Sequence, residues 1–316
     1  MKKKDFVSIE DISPKEIFGI IRMAQTLKKE LKETGSNAPI CKTKTLVMLF
    51  EKPSLRTRLS FEIGIAQLGG HAVSLISCDI GMGTRESVAD VARVVSGMGH
   101  MIVARTFKHA TVLELAEYAS IPVINGLSDV EHPCQILADL LTIWEVKNPW
   151  KRLRLAYIGD SHNNVTHSLA LASGLLGIHF VTASPKGYWM SPEITERAKQ
   201  HASISGASIT ETTDPKEAVY NADIVYTDTW VSMGEETEKD NRLKIFPPYQ
   251  VTPALMALAK KDAVFMHDLP AYRGCEVTSD VIDGPQSVVF QQAKNRLHAQ
   301  KALLVFFAPF LKKTNR

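Results

Sequence analysis

Phe50-Glu51-Lys52-Pro53-Ser54-Leu55-Arg56-Thr57-Arg58 decides how this chain is read. The run places two guanidiniums and two hydroxyls where a strand gives way to a helix. Just before it, Thr45-Leu46-Val47-Met48-Leu49-Phe50 is short and apolar and reads as a buried strand. After it, Leu59, Ile63, Ala66 and Leu68 fall at helical spacing, and Gly69-Gly70 ends the run. Pro53 holds the preceding residue away from the α region, which keeps the helix from starting earlier. Ser54 to Thr57 therefore sit at a helix mouth. Free backbone N–H groups and the positive end of the helix dipole favour an anion there. Arg56 and Arg58 add planar donors suited to phosphate or carboxylate.

Outward from this stretch, strand-like and helical segments alternate, which predicts an α/β protein with mostly parallel sheets. Residues 72–76, 101–104 and 122–124 read as strands in the first half, with helices over 86–98 and 112–119 between them. A long amphipathic helix follows over 133–146, broken by Asn148-Pro149-Trp150. The alternation then resumes with strands at 154–158, 178–182, 224–226 and 263–266, and the tail from Val288 is helical. At 316 residues two domains are the natural expectation. We place them at 1–147 and 148–290, with the tail 291–316 as a C-terminal helix.

Composition narrows the function classes. Hydrophobic content of 45% and charged content of 22% are ordinary for a globular protein, and a net charge of +3 gives no reason to expect nucleic acid. The run Lys2-Lys3-Lys4 is too short to change that. No segment approaches membrane-spanning length. Cys41, Cys78, Cys134 and Cys275 are scattered without a CxxC pair, which argues against a disulfide framework or a structural zinc site and for a cytoplasmic protein. Neither half carries a GxGxxG turn or a GxxxxGK[ST] loop, so a dinucleotide oxidoreductase and an ATP-driven enzyme are disfavoured.

Four stretches, in order along the chain, resemble the signatures of the aspartate and ornithine carbamoyltransferases. Ser54-Leu55-Arg56-Thr57-Arg58 is similar to the carbamoyl-phosphate motif, and His132-Pro133-Cys134-Gln135 to the second signature. Asp228-Thr229-Trp230-Val231-Ser232-Met233-Gly234 resembles the amino-acid loop of the ornithine branch, and His267-Asp268-Leu269-Pro270 stands where that branch has His-Cys-Leu-Pro. The resemblance implies two doubly wound α/β domains, each a mostly parallel sheet flanked by helices, with the C-terminal helix returning to the first domain.

It also implies roles. Ser54, Leu55, Arg56 and Thr57 would hold the phosphate, partly by backbone N–H. Arg105 would reach both phosphate and carbonyl oxygen. His132 would face the developing oxyanion, Gln135 and the Leu269 carbonyl the carbamoyl amine, and Arg296 would complete the pocket. Asn163, Asp228, Ser232 and Met233 would hold the amino acid's α groups. Asp268, in place of the common cysteine, would lie beside the attacking amine, either orienting it or accepting its proton. An acidic Asp228 suits an α-ammonium better than a second carboxylate, favouring ornithine over aspartate. Arg85 would touch phosphate across a trimer interface. The expected partners are carbamoyl phosphate, L-ornithine and further copies of the chain in a homotrimer or a multiple of trimers, with no metal and no cofactor. Other acceptor amines (putrescine, an acylated ornithine, aspartate) and a non-catalytic carbamoyl-phosphate-binding paralogue remain open.

Overall fold

The computed structural model describes residues 5–150, 152–231 and 236–311. They divide into two compact units, 1–141 with 294–316 and 142–293, the divisions falling within two helices.

The first unit runs α1 (Pro14–Thr34), β1 (Thr45–Phe50), α2 (Leu55–Gln67), β2 (His71–Ile76), α3 (Ser77–Ile80), α4 (Val88–Met98), β3 (Met101–Arg105), α5 (His109–Tyr118), β4 (Val123–Leu127) and the start of α6 (Pro133–Lys147). α1 begins where Ser13 accepts from the Glu16 amide with Pro14 at the first turn. It ends at Gly35, whose left-handed backbone (φ 76°) needs no Cβ. Its buried stripe is Ile17, Ile20, Ile21, Ala24 and Leu27. The sheet is parallel in the order β2-β1-β3-β4. β1, β3 and β4 are buried almost throughout, whereas half of the edge strand β2 is exposed.

The second unit runs β5 (Arg154–Ile158), α7 (Asn164–Leu176), β6 (His179–Ala183), α8 (Pro192–Ser205), β7 (Ile209–Thr212), α9 (Pro215–Val219), β8 (Ile224–Tyr226), α10 (Lys239–Ile245), α11 (Pro253–Met256), β9 (Val264–Met266), α12 (Ser279–Ile282) and α13 (Val289–Phe307). Its parallel sheet has the order β7-β6-β5-β8-β9. Val181, Val225 and Phe265 from three of these strands share one core with Trp230, Phe246 and Val289. The C-terminal part of α13 belongs to the first unit, where the buried Lys301 donates to Asn37 and Gln67 and Gln300 donates to the Cys134 carbonyl.

In each sheet the chain leaves its central strand in opposite directions, between β1 and β3 and between β5 and β8. Open parallel sheets place ligands beyond the carboxyl ends of strands at such a reversal. No helix among the described residues is long and apolar enough to cross a membrane.

Candidate active site

The first unit gathers its chemistry at three strand ends. After β1, Ser54 adopts an extended conformation and accepts from the Thr57 amide at 3.2 Å, capping α2. After β3, the pairing with β4 shifts register between Ala104 and Arg105, which re-aims Arg105 where it is 5% exposed. After β4, His132 stands immediately before Pro133, the first residue of α6, and is buried. α13 adds Arg296, which donates to Thr57 Oγ1 at 3.0 Å and to Gln135 Oε1. Gln135 in turn donates to Asp139 Oδ1 at 2.8 Å.

These groups form one electrostatic cluster. Burial, and then the charges of Arg296, Arg105, Arg56 and Lys52, hold the His132 imidazole well below its usual pKa. A neutral imidazole still has one N–H to donate. A place that repels one more proton this strongly is a place prepared for an anion.

The second unit builds a different cluster. Gly159, with φ 133°, turns the chain out of β5 toward Asn163. Asn163 caps α7 by accepting from the Thr166 amide at 2.8 Å, and its amide donates to Tyr157 Oη and the Asp160 carbonyl, each at 2.8 Å. With Thr166 Oγ1 at 3.1 Å on the same oxygen, its side chain is fully engaged. After β8, the buried Asp228 accepts from the Thr229 amide at 2.6 Å. After β9 come His267, fully buried, and Asp268, whose side chain is 13% exposed. One atom each of Asp228, His267 and Asp268 lie within 4.8 Å of one another. Burial and the neighbouring Asp268 push the Asp228 carboxyl well above the usual carboxylate range.

His267 is held on both sides. Nε2 faces the buried Glu276 at 3.1 Å, and Nδ1 accepts the Leu269 amide at 2.9 Å with Asp268 Oδ1 at 3.5 Å. Burial opposes its charge, but Asp268, Glu276 and Asp228 outweigh that and raise its pKa to about 9. The Leu269 bond uses the Nδ1 lone pair of a neutral ring; near neutral pH, where a group raised to about 9 holds its proton, Nδ1 turns to Asp268 instead. Leu269 itself has a positive φ of 62°, rare for a residue with a branched side chain. Such strained backbone clusters at functional sites.

Comparison with known proteins gives the family. Residues 4–145 match the family description "Aspartate/ornithine carbamoyltransferase, carbamoyl-P binding domain", and residues 151–307 match "Aspartate/ornithine carbamoyltransferase, Asp/Orn binding domain". The chain belongs to the aspartate/ornithine carbamoyltransferase family. It is 54% identical over 305 residues to an ornithine carbamoyltransferase of Anoxybacillus flavithermus, with 96% of each chain covered. It is 52% identical over 301 residues to that of Bacillus subtilis, covering 95% of this chain and 92% of the other. The solved ornithine carbamoyltransferase of Pyrococcus furiosus superposes with a TM-score of 0.92 at 48% identity, covering 96% of each chain.

Of the residues that the family resemblance singles out, Ser54, Leu55, Arg56, Thr57, Arg105, His132, Gln135 and Arg296 all fall in the first unit, and Asn163, Asp228, Asp268 and Leu269 in the second. The Leu55 side chain is 69% exposed, so any part it takes in binding is by backbone. Ser232 and Met233 lie outside the described residues. Arg58 turns outward to Glu62 at 2.9 Å and is not brought to the cluster. Arg85 is exposed and donates to the Asp79 carbonyl at 3.4 Å. Arg273 pairs with Asp283 at 2.8 Å on the surface, a structural role.

Sequence reasoning missed four residues. Lys52 stands inside the opening stretch, buried and 5.1 Å from the Phe107 ring, yet only its charge on His132 shows its place in the cluster. Glu276 is a lone acid in an unremarkable loop, and its pairing with His267 across nine residues has no sequence signal. Gln292 joins the His267 amide to Tyr226 Oη from α13. Arg242 on α10 reaches Asp160 and the Trp230 carbonyl, so it ties the turn bearing Asn163 to the loop after β8.

Proposed function

We propose that this protein transfers the carbamoyl group of carbamoyl phosphate to the δ-amine of L-ornithine, giving L-citrulline and phosphate. Two observations carry this: a cationic cluster around a neutral imidazole in one unit, and a carboxylate cluster in the other. A doubly functional anion fits the first and an amino acid with a second amine fits the second.

In this reading the α2 mouth, with Ser54, Leu55, Arg56 and Thr57, takes the phosphate. Arg105 reaches the phosphate and the carbonyl oxygen. Neutral His132 donates its N–H to the oxyanion that forms when the amine attacks, and Arg105 and Thr57 share that charge. Gln135 and the Leu269 carbonyl hold the carbamoyl amine, with Gln135 oriented by Asp139 and Arg296. Asn163, Asp228, Ser232 and the Met233 backbone hold the α groups of ornithine, Asn163 exchanging one of its present bonds to do so. Asp268 faces the δ-amine. The C–O bond to phosphate then breaks and phosphate leaves into the α2 mouth. Most of the acceleration comes from positioning and from charges already in place.

The same reading makes the protein a cytoplasmic homotrimer or a multiple of trimers. Supporting it, α2 carries an outward stripe of Leu55, Leu59 and Ile63 beside Val73 and Ile76 of the edge strand β2, all exposed. The test is an assay with carbamoyl phosphate and a panel of ornithine, putrescine, N-acetylornithine and aspartate. Citrulline from ornithine, with the other amines at least about 100-fold slower, is expected, since a site built to pair charged groups rejects analogues lacking them. Turnover of another amine in preference to ornithine would overturn the substrate assignment.

A further inference from the structure

Lys301 on α13 is wholly buried in the first unit, and nothing in the proposed chemistry uses it. Its ammonium donates to two side-chain amides, Asn37 Oδ1 at 2.6 Å and Gln67 Oε1 at 2.9 Å. Asn37 is itself held in place, donating to the Leu27 carbonyl at 2.9 Å and to Glu30 Oε2 at 2.8 Å. Burying an ammonium on neutral amides stabilises less than an apolar side chain of the same volume would. Buried charges of this kind earn their place best where they fix a register that apolar packing alone lets slide.

The surroundings of Lys301 show which register that is. Gly64, in the middle of α2, lets the lysine stem approach closely: a Cβ there would stand 3.2 Å from Lys301 Cγ. The ammonium then reaches Gln67, the last residue of α2, where the carbonyl end of a helix favours a cation. Its neighbour Gln300 donates to the Cys134 carbonyl of α6 at 3.1 Å. Five residues earlier, about 7.5 Å along the helix axis, stands Arg296. It bonds the same two helices, at Thr57 Oγ1 of α2 and Gln135 Oε1 of α6. α13 is thus pinned to α2 and α6 at two levels, and only the level of Arg296 belongs to the cationic cluster.

We infer that Lys301 is a positioning residue: it fixes the register of α13 on α2 and so aims the Arg296 guanidinium at the anion mouth of α2. This inference rests on the function proposed above for the use of that mouth, and adds the device that sets one of its charges. Arg296 bridges acceptors on two different helices, so a shift of α13 lengthens both bonds together. A misplacement of about 1 Å reduces rate by up to about a hundredfold.

The test compares wild type, Lys301→Met, Arg296→Gln and the double variant, with inorganic phosphate binding read by calorimetry. Methionine keeps an unbranched stem and removes the donors. Lys301→Met is expected to unfold at the same or a higher urea concentration than wild type. It should nonetheless bind phosphate about tenfold more weakly and raise KM for carbamoyl phosphate by a similar factor. KM for ornithine at saturating carbamoyl phosphate should change less than about threefold, since the second unit is untouched. In the Arg296→Gln background, adding Lys301→Met should change phosphate affinity less than about twofold, because its effect runs through that guanidinium. A tenfold loss in both backgrounds would overturn the inference. So would wild-type phosphate affinity in Lys301→Met, which would leave Lys301 a purely structural group. Gln67→Ala removes one anchoring bond at a half-buried helix end and serves if Lys301→Met does not fold. About threefold weaker phosphate binding is expected from it, and no change would equally overturn the inference. A wild type that binds phosphate in this way but makes no citrulline would instead overturn the function proposed above.

Discussion

The two units of this protein each concentrate like charge, and they relieve it by opposite means. In the first, Arg56, Arg105 and Arg296 have no accessible deprotonated form. The relief falls on the neighbour that can titrate, so His132 goes without its proton. In the second, burial and the neighbouring Asp268 push the Asp228 carboxyl well above the usual carboxylate range. One cluster is therefore a fixed field waiting for an anion. The other holds a carboxyl that burial and a like charge bias toward its neutral form.

The largest expected effect breaks the fixed field. Arg105→Ala should lower kcat/KM for carbamoyl phosphate by about a thousandfold, the upper range for losing one oxyanion donor. Because Arg105 is one of the charges that hold the His132 pKa down, the acid limb of the pH–rate profile should also move to higher pH. A matching loss with an unmoved profile would show that the neutral form of His132 does not limit the rate.

Next comes an opposite-charge pair as a contrast to both clusters. Arg242 and Asp160 are each nearly buried, and Arg242 also lies 5.0 Å over the Tyr188 ring. Removing one partner leaves the other charge buried and alone, so Arg242→Leu should cost about 3 kcal/mol of unfolding free energy. It should also raise KM for ornithine more than it lowers kcat, since the loops on both sides of Asn163 lose their tie. Urea unfolding and steady-state kinetics check the two halves separately.

Asp228→Asn sharpens the comparison from the other side. Kinetically it should lose about a hundredfold in kcat/KM for ornithine, the cost of an unmatched ammonium. Thermally it should gain. Folding raises the Asp228 pKa, so the folded protein holds this proton more tightly than the unfolded chain. Wild-type stability from this group is complete below the usual carboxylate pKa and is lost as pH rises through the raised value. The variant is spared that loss, so its advantage in melting temperature should be larger at pH 8.5 than at pH 5. An equal advantage at both would mean that folding does not raise the Asp228 pKa.

What the sequence could and could not show follows the same division. The strands 45–50, 154–158 and 224–226 are legible to the residue because each is an apolar run buried on both faces. The edge strand β7, Ile-Thr-Glu-Thr, is short, three-quarters polar and only partly buried, so it leaves no apolar signature. α5 begins at His109, three residues before its apolar pattern suggests, because Lys108 offers no side-chain cap to mark the start. α4 begins at Val88 because Ser87 caps it by accepting from the Asp90 amide. In the site, motif residues were legible because they are contiguous. The partners that set their charge states were not. Lys52 shifts a histidine eighty residues away, and Glu276 and Gln292 hold His267 from separate elements. Such pairings arise only when the sheet brings distant strand ends together.

The smallest expected effect tests whether the imidazole senses the anion. Folding lowers the His132 pKa, so its contribution to stability is complete above the unfolded value of about 6.5 and declines as pH falls from there toward the lower folded value. One proton contributes at most about 1.4 kcal/mol per pH unit. Carboxylates also titrate in acid, so the quantity to measure is the difference between wild type and His132→Gln. Wild type should lose about 1 kcal/mol relative to the variant between pH 6.5 and 5.5. Saturating inorganic phosphate should shrink that difference. A bound dianion offsets Arg56, Arg105 and Arg296, the charges that, after burial, keep the ring neutral. If phosphate leaves the difference unchanged, the cations and the imidazole do not share an anion, and the first unit's cluster is structural.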